Sequence, residues 1–255
     1  MSKKNHNINV TINLSGFESE LRQLIACDFR TLELISKQIV RNHRANNEFN
    51  IKQGITNVIF HFPDKEIQIQ REINKCFKSI LGSVQDYLDK MLAILKLKNE
   101  SLALISVSSQ DELNTLVNNK FSECVHNISI DRSLNVPKKI NILLDDSDAI
   151  EYKETLQSYF DLRNGLEHHK GVAKTDRIVK FKRMALITSG GIEIKKLPFI
   201  GKEDEGVFVK AIDEKIEFDK GGNLLLSESD VKNIIISLVI HVIPMIQNSV
   251  SEKMK

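Results

Sequence analysis

The sequence has little cysteine and no long apolar run, and each shortage excludes a class of protein. Its three cysteines, Cys27, Cys76 and Cys124, lie far apart without paired spacing. Neither a zinc site nor a disulfide framework is therefore indicated, and a reducing compartment fits best. The most apolar segment, Ile234 to Ile246, has 13 residues with polar and proline interruptions. A membrane span needs about 20 apolar residues, so we expect no membrane insertion.

The sequence also has no strong excess of one charge, and no secretory leader is expected. The net charge of +2 does not by itself indicate a nucleic-acid-binding protein. The stretch Met1 to Asn9 carries lysines with no apolar core after them, so it does not look like a secretory signal. The composition is 41% hydrophobic and 27% charged, which is typical of a globular fold. We expect a cytoplasmic protein with a single domain over residues 1–255.

Basic residues are concentrated in one segment of the chain. Residues 163–183 contain seven basic side chains and two acidic ones, whereas the whole chain has a net charge of only +2. A basic segment of this kind can attract a phosphate backbone.

Hydrophobic periodicity predicts a mainly α-helical fold with a short antiparallel β excursion. A long helix is predicted from Phe17 to about Arg44, and another follows Pro63-Asp64. Capping boxes at residues 109–112 and 227–230 predict two more helix starts, and Pro244 should kink or shorten the last helix. Ser147 or Asp148 can cap a further helix that ends near Gly171. Residues 127–145 are expected to form a connection.

Three regions have the patterns of β-strands. Strict alternation of apolar and polar residues predicts an N-terminal strand over about residues 7–14. The run Ile55 to Phe62 is β-prone and could pair with that strand or simply cross the surface. Residues 176–226 contain short β-prone runs; Ile178 to Ile187 and Ile192 to Leu197 flank the pair Gly190-Gly191. This region predicts a β insertion in the helical frame.

The predicted helix that ends near Gly171 carries a motif with candidate chemistry. Arg163-Asn164 is followed by His168 and Gly171. This pattern resembles the signature of the HEPN superfamily: an Arg, commonly a polar residue after it, and a His about four to six residues beyond the Arg. The resemblance implies a HEPN-like helical bundle. About a dozen residues carry the specific part of this resemblance.

Catalytically competent HEPN proteins are metal-independent endoribonucleases, often with the site where the motif helices of two protomers meet. The resemblance therefore implies a homodimer that cleaves RNA through the ribose 2′-OH without a cofactor or metal. His168 would transfer the proton, since an ordinary imidazole titrates near neutral pH. Arg163 would stabilise charge on the phosphate oxygens, and Asn164 would orient one of these groups. A toxin, stress or defence role, with an antitoxin or defence partner, follows by analogy alone.

Four other residues are candidates for substrate binding: His169, Lys170, Tyr159 and Lys174. Asp145, Asp146 and Asp148 are interpreted as residues near a helix start rather than metal ligands.

Two alternatives stay open. The chain could be a catalytically silent HEPN-type module that binds RNA or protein. It could also be a structural helical protein, in which Arg163 and Glu167 form an ordinary helix ion pair. In that case the negative end of the helix dipole would be stabilised by the basic side chains of His168, His169 and Lys170. One detail argues against the structural alternative: Arg163 falls within the apolar arc of its helix, where it needs partners.

Overall fold

The computed structural model describes residues 13–42, 48–53, 56–61, 64–99, 109–145, 149–188 and 207–255. The chain is mainly helical with a short antiparallel β excursion, which confirms the predicted fold class. The helices are α1 (Leu14–Asn42), α2 (Lys65–Asn99), α3 (Gln110–Ile130), α4 (Val136–Leu143), α5 (Ile150–His168), α6 (Glu228–Ser237) and α7 (Ile243–Met254). The strands are β1 (Glu48–Gln53), β2 (Thr56–His61), β3 (Arg177–Thr188) and β4 (Val207–Phe218).

Helix α2 lies at the centre of the helical part. Its side chains at helical intervals, among them Phe77, Val84 and Leu88, are at most 1% exposed, as the apolar stripe predicts. Helices α1, α3, α4, α5 and α7 all pack against α2. A single hydrophobic cluster includes residues from every one of these helices.

One predicted segment lies mostly outside the described residues, and another differs from the structure. The expected N-terminal strand falls mostly on residues 1–12, outside the described residues, and Leu14 already begins α1. The segment expected to be a connection contains α4, with Asn135 as its N-cap and Pro137 in its first turn. Proline is favoured there because its missing N–H would be unpaired anyway.

Both β-sheets are antiparallel pairs. Strand β2 pairs with β1. Strand β3 pairs with β4 along its whole length, from Arg177 opposite Phe218 to Thr188 opposite Val207. The antiparallel β excursion is therefore confirmed, with β4 as a partner of β3, whereas the β-prone run Ile192 to Leu197 lies outside the described residues.

The C-terminal helical segment runs continuously from Glu228 to Met254. It begins with the predicted capping box of Ser227 and Asp230. A π-helical turn, Leu238–Val242, immediately precedes α7, which has Pro244 in its first turn. A proline ring clashes with the carbonyl four residues earlier in an α-helix, and we infer that the wider turn relieves this clash.

By length and composition this segment could cross a membrane, and 44% of its most apolar window is buried. A helix packed into a protein core passes the same test. Here the buried side chains, such as Ile234, Leu238 and Ile246, belong to the core cluster.

Candidate functional site

The end of α5 is fixed by backbone pairing with the loop that follows β4. The Ala173 N–H donates to the Gly222 carbonyl at 2.9 Å, and the Leu224 N–H donates to the Gly171 carbonyl at 2.6 Å. Lys170 and Gly171 both have left-handed backbones, with φ of 54° and 75°. The predicted helix end is confirmed, and the left-handed turn begins one residue before the expected glycine.

Gly165 allows the motif helix to approach this loop closely. A Cβ at residue 165 would lie 2.5 Å from Cδ1 of Leu224, whose side chain is 1% exposed and cannot move into solvent. In α2, by contrast, a Cβ at Gly82 would meet nothing within 4 Å.

We expect Gly165→Ala to lower the free energy of unfolding by about 1 kcal/mol. Overpacking costs about 1–3 kcal/mol, more than the roughly 1 kcal/mol that alanine gains over glycine in a helix. The matched control, Gly82→Ala, should raise stability by up to about 1 kcal/mol. Urea unfolding followed by circular dichroism measures both, and equal stabilisation by the two substitutions would contradict the close packing.

Arg163 is largely buried and has the partners that its position requires. Its side chain is 21% exposed. Its Nε donates to Oε1 of Glu167 at 3.1 Å, and its Nη1 donates to Oε1 of Gln85 in α2 at 3.0 Å. Within the described part of the chain, Nη2 has no hydrogen-bond acceptor. The guanidinium is thus held from two sides and keeps one nitrogen available.

Asn164 and His168 are exposed residues four positions apart in α5, so they lie on one side of the helix. The His168 side chain is 69% exposed, and its Nε2 lies 4.0 Å from Oε2 of Glu167. The carboxylate of Glu167 therefore lies near both Arg163 and His168. An exposed imidazole, a carboxamide and a partly available guanidinium are together at one helix end, a set that can bind a phosphate and transfer a proton.

The substrate-binding candidates separate into two groups. Lys170 and Lys174 are exposed and His169 is half-buried, all three beyond the end of α5. Tyr159 is 0% exposed and packs in the core. Its side chain is therefore not at the surface, where we expected it to contact substrate, and burial raises the pKa of its hydroxyl.

Most cations of the basic segment already have protein partners. Lys180 pairs with Glu154, Lys182 with Glu151 and Asp213, and Arg183 with Glu214. Arg177 donates to the carbonyl of Asp161. Within the described residues, Lys170 and Lys174 are the cations of this segment whose side chains have neither an ion pair nor a hydrogen bond to the protein. The surface available to a phosphate backbone is therefore smaller than the composition of the segment indicates.

The acidic residues near the start of α5 were interpreted as belonging to a helix start. Asp145 forms an ion pair with Lys253 at 2.5 Å, and that hydrogen bond lowers the pKa of the Asp145 carboxyl. Asp146 and Asp148, like Ser147, fall outside the described residues. Helix α5 begins after Ala149, which makes no side-chain capping hydrogen bond.

Gln85 and Glu167 also belong to the site, because both contact Arg163, but neither was predicted as a site residue. Glu167 was visible as the i,i+4 partner of Arg163 but was assigned only to an ordinary helix ion pair. Gln85 gave no local signal, because it lies 78 residues before Arg163.

Comparison with protein-family models, with curated proteins and with solved structures finds no match to this chain.

Proposed function

We propose that the chain is a metal-independent endoribonuclease of HEPN type, with Arg163, Asn164 and His168 at its active site. The observation that supports this most strongly is the exposed His168 beside Asn164, at the helix end where Arg163 is anchored. His168 takes the proton from the ribose 2′-OH, and the oxygen attacks the adjacent phosphorus. The bond from phosphorus to the 5′-oxygen breaks, the 5′-oxygen takes a proton from water, and a 2′,3′-cyclic phosphate remains. The protonated His168 then returns its proton to the solvent. Arg163 stabilises the negative charge that develops on the phosphate oxygens.

The homodimer that the sequence predicts stays a prediction, which light scattering tests.

We expect cleavage of total RNA to persist in the presence of a chelator and to leave 2′,3′-cyclic phosphate or 3′-phosphate ends. The reason is that the nucleophile in this chemistry is the substrate's own 2′-OH. DNA, and RNA with a 2′-O-methyl group at the cut site, should resist. Mass spectrometry of the products identifies the ends. Products with a 3′-hydroxyl, or cleavage only with added magnesium, would rule out this mechanism.

A second candidate function is a catalytically silent module that binds RNA. The contacts of Arg163 favour it, because Gln85 and Glu167 already occupy two of its nitrogens. A gel shift with RNA that stays intact after long incubation would support this function over the nuclease.

A further inference from the structure

A groove lies between α1 and α3, and residues of α2 form its floor. Its volume is about 500 Å³, within the range of roughly 300–1,000 Å³ typical of small-molecule sites. Phe17, Leu21 and Leu24 line one wall, and Phe121 and Val125 line the opposite wall.

The two walls of the groove contact each other near Phe17. The rings of Phe17 and Phe121 lie 5.5 Å apart, and Nζ of Lys90 lies 5.5 Å from the ring of Phe17. Lys90 also forms an ion pair with Glu20 at 2.7 Å. Leu24, towards the other end, is 47% exposed.

The charges in the groove leave one carboxylate unbalanced. Glu20 is paired with Lys90, and Asp89 is paired with Lys139. Asp86, which also lines the groove, is exposed and has no ion pair or hydrogen bond within the described part of the chain. The surface therefore offers an apolar wall and a single uncompensated negative charge.

We propose that this groove binds a small molecule with an apolar body and a protonated amine. The apolar body lies against Leu21, Leu24 and Val125, and the ammonium lies against the carboxylate of Asp86. The size of the groove favours a small molecule over a protein helix. The wall from Phe17 to Leu24 is only about 10 Å long. A stable protein interface buries about 800 Å² on each partner, which needs a longer surface than this wall provides.

The proposal does not depend on the ribonuclease function, because the groove shares no lining residue with the α5 site. Two probes test it: phenethylamine, and 2-phenylethanol as a neutral analogue of similar shape. Ligand titrations followed by protein NMR should give amide shifts in α1, α2 and α3. We expect phenethylamine to bind about fivefold more tightly than 2-phenylethanol, which is the order of one exposed ion pair.

Asp86→Asn tests the contribution of the carboxylate charge separately from the contribution of the groove's shape. This exposed substitution should weaken phenethylamine about fivefold and leave 2-phenylethanol unchanged, as expected for loss of one exposed ion pair. Glu123→Gln, an exposed carboxylate on α3 that does not line the groove, is the matched control and should change neither affinity. Equal affinity for the two probes, an unchanged preference in Asp86→Asn, shifts that map elsewhere, or no binding of either probe would each overturn the proposal.

Discussion

Lys139→Met is expected to lower the free energy of unfolding by about 3–5 kcal/mol, the usual cost of leaving one member of a buried ion pair without its partner. Nζ of Lys139 in α4 lies 2.5 Å from Oδ1 of Asp89 in α2, and each side chain is only 3% exposed. Methionine fills a similar volume, so the loss reports the uncompensated carboxylate rather than a cavity. Urea unfolding of the two proteins measures it.

Two further variants isolate the charge. Lys138→Met removes a neighbouring ammonium that is exposed and donates to the carbonyl of Ser133, and it should change stability by less than about 1 kcal/mol. Asp89→Leu combined with Lys139→Met should recover most of the loss, because replacing both members of a buried pair is often neutral or stabilising. A double variant as unstable as Lys139→Met would show that packing, not charge, caused the loss.

The loss in Lys139→Met should also depend on pH. Burial raises the pKa of the Asp89 carboxyl, and the hydrogen bond from Lys139 partly counteracts this rise. A carboxyl with a higher pKa in the folded than in the unfolded state favours folding below its unfolded pKa, and this contribution is lost as pH rises through the folded pKa. The variant should therefore recover part of its deficit as the pH is lowered from neutral towards about 4, the ordinary pKa of an unfolded Asp carboxyl.

The long helices could be predicted from the sequence because the patterns that predict them each lie within one short segment of the chain. The stripe of α2 and the capping box of α6 each lie within one segment, and both are confirmed. Helix α4 was not predicted. It has only eight residues, and Pro137 resembled a helix breaker although proline suits the first turn.

The partner of β3 could not be predicted from turn residues. Two β-prone runs flank the pair Gly190-Gly191 in the sequence, but the strand observed to pair with β3 begins only at Val207. Cross-strand pairs such as Lys182 with Asp213 stabilise the observed register. They join residues about 30 positions apart and leave no local pattern.

For the candidate site, the sequence predicted that Arg163 has polar partners, but it did not identify all of them. The position of Arg163 in an apolar arc required partners, and Glu167 and Gln85 provide them. Glu167 follows from helix spacing. Gln85 depends on the packing of α2 against α5, which periodicity alone does not define. The burial of Tyr159 follows from the same packing, since its stripe faces the core.

His168→Ala should abolish RNA cleavage, whereas His169→Ala should retain most of it. His168 is 69% exposed and lies one turn after Asn164, so both can contact one substrate. His169 lies beyond the last helical residue, where its N–H donates to the carbonyl of Gly165. Loss of a general acid or base reduces the rate by about 10²–10⁴-fold. If His169→Ala were inactive and His168→Ala active, with both folded, the site would be displaced by one residue.

Arg163 variants test whether its remaining nitrogen serves the reaction. Arg163→Lys keeps the charge but cannot make forked contacts, and we expect a loss of about 10²–10³-fold, as for removal of one transition-state donor. Gln85→Ala is the informative companion, because it removes an anchor of Arg163 without touching the proposed substrate surface. It should reduce cleavage less than Arg163→Lys while both proteins keep wild-type circular dichroism. Full cleavage activity in Arg163→Lys would show that the forked contacts of Arg163 do not serve the reaction, and that the residue acts only through its contacts with Gln85 and Glu167.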